Sequence, residues 1–231
     1  FICTTAILVA AYPASAGGQH VLFREEFANL DNWKPFTFPK IKKHSVYTIG
    51  TEDGKRVLKA ESSASASAIV YKDVFDVYDH PRVKWRWKVK NVYAGGDVRT
   101  KAGDDYPIRI YIMFEYDPDR SGAVDRIKYS FAKSLYGEYP PHSSLSYIWS
   151  SKDDPDTFVV SPYTDKAVLV LLEKGPANAG TWVDEDIDIL ADYQRAFKTT
   201  PPARARIAIM NDSDNTGESS VSYLEYIEVL R

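Results

Sequence analysis

Strict alternation is the feature that most constrains this chain. In Val83-Lys84-Trp85-Arg86-Trp87-Lys88-Val89, Val83, Trp85, Trp87 and Val89 share one face of an extended segment, while Lys84, Arg86 and Lys88 share the other. A period of two with one apolar and one charged face is the pattern of a half-buried antiparallel strand, and two tryptophans on one side commit that face to a core. A second segment, Asp105 to Tyr116, sets Tyr106, Ile108, Ile110, Ile112 and Phe114 on an apolar face and Asp105, Arg109, Tyr111 and Glu115 on the opposite one. Further strands are expected over 21–27, 45–48, 57–61, 68–74, 127–131, 145–149, 166–173, 204–210 and 221–230, separated by turns rich in Gly, Asp, Asn and Pro. The stretch from Glu61 to Ala68 reads as a strand of small residues near a close backbone approach.

Only 184–197 predicts a helix, with Ile187, Leu190, Ala191 and Phe197 near one face, an acidic first turn of Asp184, Glu185 and Asp186, and Thr200-Pro201-Pro202 as its stop. About ten short strands and one helix predict an all-β fold, a two-sheet antiparallel jelly-roll sandwich, lectin-like or galactose-binding-like, with one short helix. No linker, internal repeat or low-complexity tract divides it, so 17–231 reads as a single β-sandwich domain.

Residues 1–16, FICTTAILVAAYPASA, carry no charge and end in Ala14-Ser15-Ala16, the small-x-small pattern that a signal peptidase cleaves. They are read as the remnant of a signal peptide, with a mature start near Gly17 and a periplasmic or secreted protein as the expectation; a buried N-terminal strand is the alternative. The apolar part is too short to span a bilayer of about 30 Å, so no membrane insertion is expected. The one cysteine, Cys3, falls in this segment, which leaves the mature chain without disulfides or thiol chemistry. A formal charge of −3, from 29 Lys+Arg against 32 Asp+Glu, offers no basic field for phosphates and argues against nucleic acid.

The polar residues narrow the chemistry without naming a reaction. Asp105 and Arg109 lie on one strand face roughly 13 Å apart, so only a ligand or side chains from neighbouring strands would bridge them. Such a face is either a solvated ion-pair network or the floor of a groove, in which Arg109 and Tyr111 would bind sugar hydroxyls or a carboxylate. The loop Asn211-Asp212-Ser213-Asp214-Asn215-Thr216-Gly217-Glu218 concentrates oxygen ligands of the kind Ca²⁺ takes. It fails the EF-hand template because position twelve is Tyr223. Asp212 and Asp214 are therefore candidate ligands of a simpler Ca²⁺ site, or else members of a hairpin whose Asp and Asn side chains satisfy their own backbone around a positive-φ Gly217. Trp149 closes a stretch holding Tyr136, Tyr139, Pro140, Pro141 and Tyr147, where a ring would either stack on a sugar or pack under a loop. The histidines His20, His44, His80 and His142 sit in no nucleophile or zinc motif. Paired carboxylates remain open for glycan cleavage if Asp105, Asp192 and Asp214 converge.

Trp85-x-Trp87, Asp104-Asp-Tyr-x-x-Arg109, Leu145-Ser-Tyr-Ile-Trp149, Ser161-Pro-Tyr163, Gly180-Thr-Trp182, Asp192-Tyr193 with Phe197, and Asp212-Ser-Asp-Asn-Thr-Gly217 occur in that order. This ordered set resembles a bacterial domain-of-unknown-function family of exported proteins over about residues 20 to 231. The resemblance implies a jelly-roll sandwich in the style of lectin-like and carbohydrate-binding modules. Two positions depart from it: Lys198 stands where a Gly is expected after the helix, and Ile187 where an Arg is expected; if that Arg binds ligand in relatives, this chain has lost a contact or uses Arg109 or Arg195 instead. The expected function is binding of a carbohydrate or glycan in a polar groove formed by Asp105, Arg109, Tyr111, Trp149 and Asp192. A glycan-cleaving hydrolase or lyase using paired carboxylates, and an envelope scaffold without a small ligand, are the alternatives.

Overall fold

The alternation of Trp85 and Trp87 translates directly into burial, since both rings are fully inaccessible and lie edge to face with centroids 5.4 Å apart. A computed structural model describes residues 20–119, 122, 129 and 139–231. The expected signal segment 1–16, Gly17, the expected strand over 127–131 apart from Tyr129, and Tyr136 lie outside these.

Among the described residues the strands form two sheets. The first runs β12 (Val183–Asp188), β7 (Arg82–Val89), β14 (Ser219–Leu230), β4 (Lys55–Ser63), β3 (Val46–Glu52), with β1 (Val21–Glu25) also paired to β14. The second runs β10 (Phe158–Val160), β11 (Ala167–Lys174), β9 (Ser143–Ser150), β8 (Arg109–Phe114), β13 (Arg204–Asp212), β5 (Ala66–Tyr71), β2 (Trp33–Phe36), with β6 (Phe75–Asp76) on β13. A short helix, α1 (Ile189–Phe197), follows β12. The expected two-sheet all-β sandwich with a short helix is the fold observed. Its pairings are antiparallel except β9 with β11, which run parallel. No helix among the described residues is long and apolar enough to cross a membrane.

The core lies between the sheets. Trp85 and Trp87 of β7 meet Tyr147 and Trp149 of β9 across it at 5.6 and 5.9 Å, and Ile110, Ile112, Phe114, Ile207 and Ile209 complete the apolar layer. Each fully buried aromatic of this kind contributes roughly 2–3 kcal/mol relative to exposure. At one end the seam turns polar: Asn211, fully buried, donates to the Ala60 carbonyl at 3.1 Å and accepts from the Ser220 hydroxyl at 3.2 Å, while Ser45 donates to the Asn211 carbonyl at 2.7 Å. Asn211 belongs to β13 of the second sheet while Ala60 and Ser220 belong to the first, so these bonds fix the relative slide of the two sheets there, because an unpaired buried amide is costly.

Three local expectations need correction. Residues 184–188 are strand rather than helix: Asp184 and Asp186 on β12 face Arg86 and Lys84 on β7, with Arg82 reaching Asp186 at 2.6 Å, and cross-strand pairing outweighs an acidic first turn. The helix begins only after Asp188, whose carboxylate caps the Ala191 amide at 3.0 Å. Ile187 then points into the core, and Lys198 takes the left-handed conformation, φ 60°, that favours a glycine at that position. The segment 105–116 is likewise not one strand. Its ladder starts at Arg109 because Pro107 has no N–H, and its carbonyl is taken by the Ser222 hydroxyl at 2.6 Å. The parity slips there, so Tyr106 packs with Val98, Ile148, Val159, Leu169 and Leu171 instead of with Ile108 and Ile110. Finally, 61–68 spans the end of β4, a turn through Ala64 at φ 47° and the start of β5, carrying the chain from one sheet to the other.

Trp149 is fully buried and its Nε1 donates to the Gly175 carbonyl at 3.2 Å. Trp149→Ala is expected to lower unfolding free energy by about 3–5 kcal/mol in chemical denaturation, through the cavity it leaves.

Candidate functional site

The residues singled out around the polar strand converge at the start of β8. Arg109 pairs in register with Ile148 on β9 and Met210 on β13, so it occupies the outer face of the second sheet, opposite Tyr147 and Ile209. Asp212 closes β13 on that same face. Its carboxylate accepts from Arg109 Nε at 3.1 Å, from the Arg109 terminal nitrogen, and from the Tyr106 amide at 3.3 Å. Arg109 also lies 3.6 Å from Asp104, whose other oxygen accepts from the Tyr106 hydroxyl at 3.0 Å, and the Tyr106 ring lies under the guanidinium at 4.6 Å. Asp212 is thus the neighbouring-strand group that ties Arg109 to the Asp104-Asp105 turn.

The loop 213–218 joins β13 to β14, which belong to different sheets, so it is not a hairpin between paired strands. Asp105 organises it from more than a hundred residues away, accepting from the Asn215 amide at 3.3 Å, the Asn215 side chain at 3.1 Å and the Thr216 amide at 2.6 Å. Gly217 does take positive φ, 73°, and its amide donates to the Ser213 carbonyl at 3.0 Å. Glu218 then accepts from the Ala94 and Gly95 amides at 3.0 and 2.8 Å, tying the loop to the 92–106 connection.

Four carboxylates, Asp104, Asp105, Asp212 and Asp214, therefore surround one guanidinium. Burial drives the Asp212 carboxyl above the usual carboxylate range, and Asp105 and Asp104 add to the push while Arg109 opposes it. Burial and the neighbouring Asp105 also raise Asp214. One oxygen each from Asp105, Asp212 and Asp214 falls within 4.8 Å of the others, a grouping that could hold a metal ion. Asp105, Arg109 and Asp212 are 0, 5 and 1% exposed, so a ligand approaching from solvent meets Asp214, Asn215 and the half-exposed Tyr163 first. The Tyr163 hydroxyl donates towards the Asn215 side-chain oxygen at 3.4 Å, and Lys101 Nζ stands 5.2 Å over its ring.

The remaining expected residues scatter. Tyr111 shares the Arg109 face, half-buried, with its hydroxyl donating to the Met210 sulfur at 3.7 Å. Trp149 lies on the inner face. Asp192 sits on α1 and accepts from the Tyr147 hydroxyl at 3.1 Å, on the inner side of the second sheet, so Asp105 and Asp214 come together without it. Also on the outer face is a cavity of about 430 Å³ lined by Tyr129, Pro140, Pro141, Ser143, Ser144, Thr164, Lys166 and Ala167. The Tyr129 ring stacks on Tyr116 at 3.7 Å, its hydroxyl donates to the Pro141 carbonyl at 3.3 Å and accepts from Lys166 Nζ at 3.0 Å. The Tyr-rich stretch beside Pro140-Pro141 marks this region in the sequence; nothing local marks Ser144, Thr164 or Lys166.

Arg109→Leu is expected to cost about 3–5 kcal/mol near neutral pH because Asp212 loses its counter-charge inside the fold. The folded-state carboxyls are then pushed further up, so the native state binds more protons than the unfolded chain and the loss shrinks as pH falls. Arg109→Leu combined with Asp212→Leu should recover most of the stability; denaturation of the three variants across pH measures this.

The chain resembles solved structures of low identity. It is similar to a family 11 carbohydrate-binding module from Clostridium thermocellum in complex with a β-1,3-1,4-mixed-linked tetrasaccharide, at 12% identity and TM-score 0.45 over 93% of this chain and 96% of that one. It is similar to a lectin from Bauhinia forficata in complex with GalNAc, at 8% identity and TM-score 0.42 over 90% and 97%. The Trichoderma harzianum endoglucanase 3 of family GH12 gives 6% identity and TM-score 0.40 over 94% and 100%. No curated protein matches the chain. The model of the family described as "Protein of unknown function (DUF3047)" matches residues 31–228, and the chain belongs to that family.

Proposed function

We propose that the protein binds a carbohydrate on the outer face of its second sheet, with the cavity beside Tyr129 as the principal subsite. The observation that carries this reading is the composition of that cavity. A tyrosine ring pinned by stacking and hydrogen bonds stands with two prolines beside the hydroxyls of Ser144 and Thr164 and the Lys166 ammonium, whereas the Ser143 hydroxyl is turned inward to the Tyr193 hydroxyl at 2.9 Å. A sugar presents the complement, an apolar ring face rimmed by hydroxyls that donate and accept. A volume of about 430 Å³ lies within the usual range for small-molecule sites. Tyr111 on the same face extends the surface, while Asp105 and Arg109 brace its end rather than touch the ligand.

Binding is favoured over cleavage because glycoside hydrolysis needs two carboxyl groups flanking the bond, and none of the described lining residues is a carboxylate. An exported site of action, periplasmic or secreted, rests on residues 1–16 alone. A second reading concerns Ca²⁺: ligand oxygens within 4.8 Å of each other suit an ion that takes oxygens at about 2.3–2.6 Å. A bound Ca²⁺ would offset the excess of carboxylate over guanidinium and stiffen the loop that carries Asn215.

A glycan array read with and without Ca²⁺ tests the first reading. A saturable glycan ligand is expected, and Tyr129→Ala should weaken it about tenfold, the loss of about 1.4 kcal/mol of ring contact. Silence on the array, together with a stable protein partner in a pull-down, would favour a scaffold. For the cation, millimolar Ca²⁺ should raise the unfolding temperature and Asp214→Ala should abolish the rise; a melting curve indifferent to Ca²⁺ and chelator would leave the cluster as a network held by Arg109 and the loop amides.

A further inference from the structure

Among the described residues the second sheet ends in a strand whose outer edge is unpaired. This strand, β10, pairs among the described residues only with β11, in the antiparallel register Phe158 with Val170, Val159 with Leu169 and Val160 with Val168. The Leu171 amide donates to the Thr157 carbonyl at 2.8 Å and the Ser161 amide to the Ala167 carbonyl at 2.9 Å, so the odd-numbered residues of β10 bond to β11. By the alternation of an antiparallel ladder, the N–H and C=O groups of Phe158 and Val160 face the other way. Beside that free edge is a cavity of about 430 Å³ lined by Asp156, Thr157, Phe158, Val160, Val168 and, from the end of α1, Arg195, Ala196 and Lys198.

The far wall of this cavity is cationic. Arg195 and Lys198 are exposed, and of the two acids nearby Asp156 is held by Arg99 at 2.6 Å, while Asp192, mostly buried, lies 3.5 Å from Arg195. Lys198 holds its place at φ 60°, where a lysine is strained and a glycine is not. Val160, 57% exposed, leaves an apolar strip along the edge. Free edge amides and carbonyls recognise another extended backbone, and the two cations select the charge of its side chains.

We propose that the cleft between β10 and α1 captures an extended acidic peptide segment of a partner protein, which adds a strand to β10 and directs carboxylates to Arg195 and Lys198. This site is separate from the carbohydrate surface and does not depend on it. The probe is a short labelled peptide alternating valine and glutamate, titrated by fluorescence anisotropy, with amide exchange of the protein followed by NMR. Saturable binding is expected, at least tenfold weaker in Arg195→Ala/Lys198→Gly, weakened by salt, and lost when alternate peptide nitrogens are methylated. Lys198→Gly relieves a strained φ, so a folding defect would not explain its effect. On binding, the Phe158 and Val160 amides should become protected from exchange, while Val159, already bonded to β11, should not change. Absence of binding by this peptide at millimolar concentration would overturn the proposal. So would binding that ignores methylation or the two cations, or protection that bypasses Phe158 and Val160.

Discussion

The Arg109 and Asp212 pair is the interaction on which the outer half of the structure depends. Two charges removed from water cost several kcal/mol each, and the cost is met only when the geometry is close and the remaining polar atoms find partners. Here the turn before β8 supplies the partners: Asp104 beside the guanidinium, the Tyr106 ring beneath it, and the Tyr106 amide to the Asp212 carboxylate at the end of β13. The pair therefore joins two adjacent strands to the 92–106 connection, and through Asp105 to the loop that crosses between the sheets. Removing one member would loosen all of these at once.

That arrangement also explains why the polar strand face is a support rather than an open binding floor. The guanidinium is saturated by carboxylates of its own chain, so it has little left to offer a ligand. What reaches solvent is the second layer, Asp214, Asn215 and Tyr163, and, on the same face, the cavity with Tyr129 and Lys166. A rigid charged base under a softer aromatic and hydroxyl surface suits recognition of a neutral polar ligand, since the surface groups are held in place without being neutralised by one another.

Much of the fold was legible because its strands are amphipathic. Val83 to Val89 alternates without exception, and its tryptophans face the core as the pattern requires. The fold was illegible where a side chain answers to a distant partner. Asp184 and Asp186 look like a helix start until Lys84, Arg82 and Arg86 stand opposite them. Tyr106 belongs by parity to the inner face, yet one proline shifts it outward. The candidate site was legible in part: Asp105, Arg109, Asp212 and Asp214 do gather, but Trp149 and Asp192 belong to the inner side, and Lys166 and Ser144 carry no local signature because only the parallel pairing of β11 with β9 brings them together.

We propose the outer face of the second sheet as a carbohydrate surface. Residue-resolved NMR during titration with a mixture of oligosaccharides tests it most directly. Saturable shift changes are expected to cluster at Tyr129, Ser144, Thr164 and Lys166, fading towards the buried Arg109. Changes confined to the first sheet or the β10 cleft, or no change at saturating glycan, would contradict it.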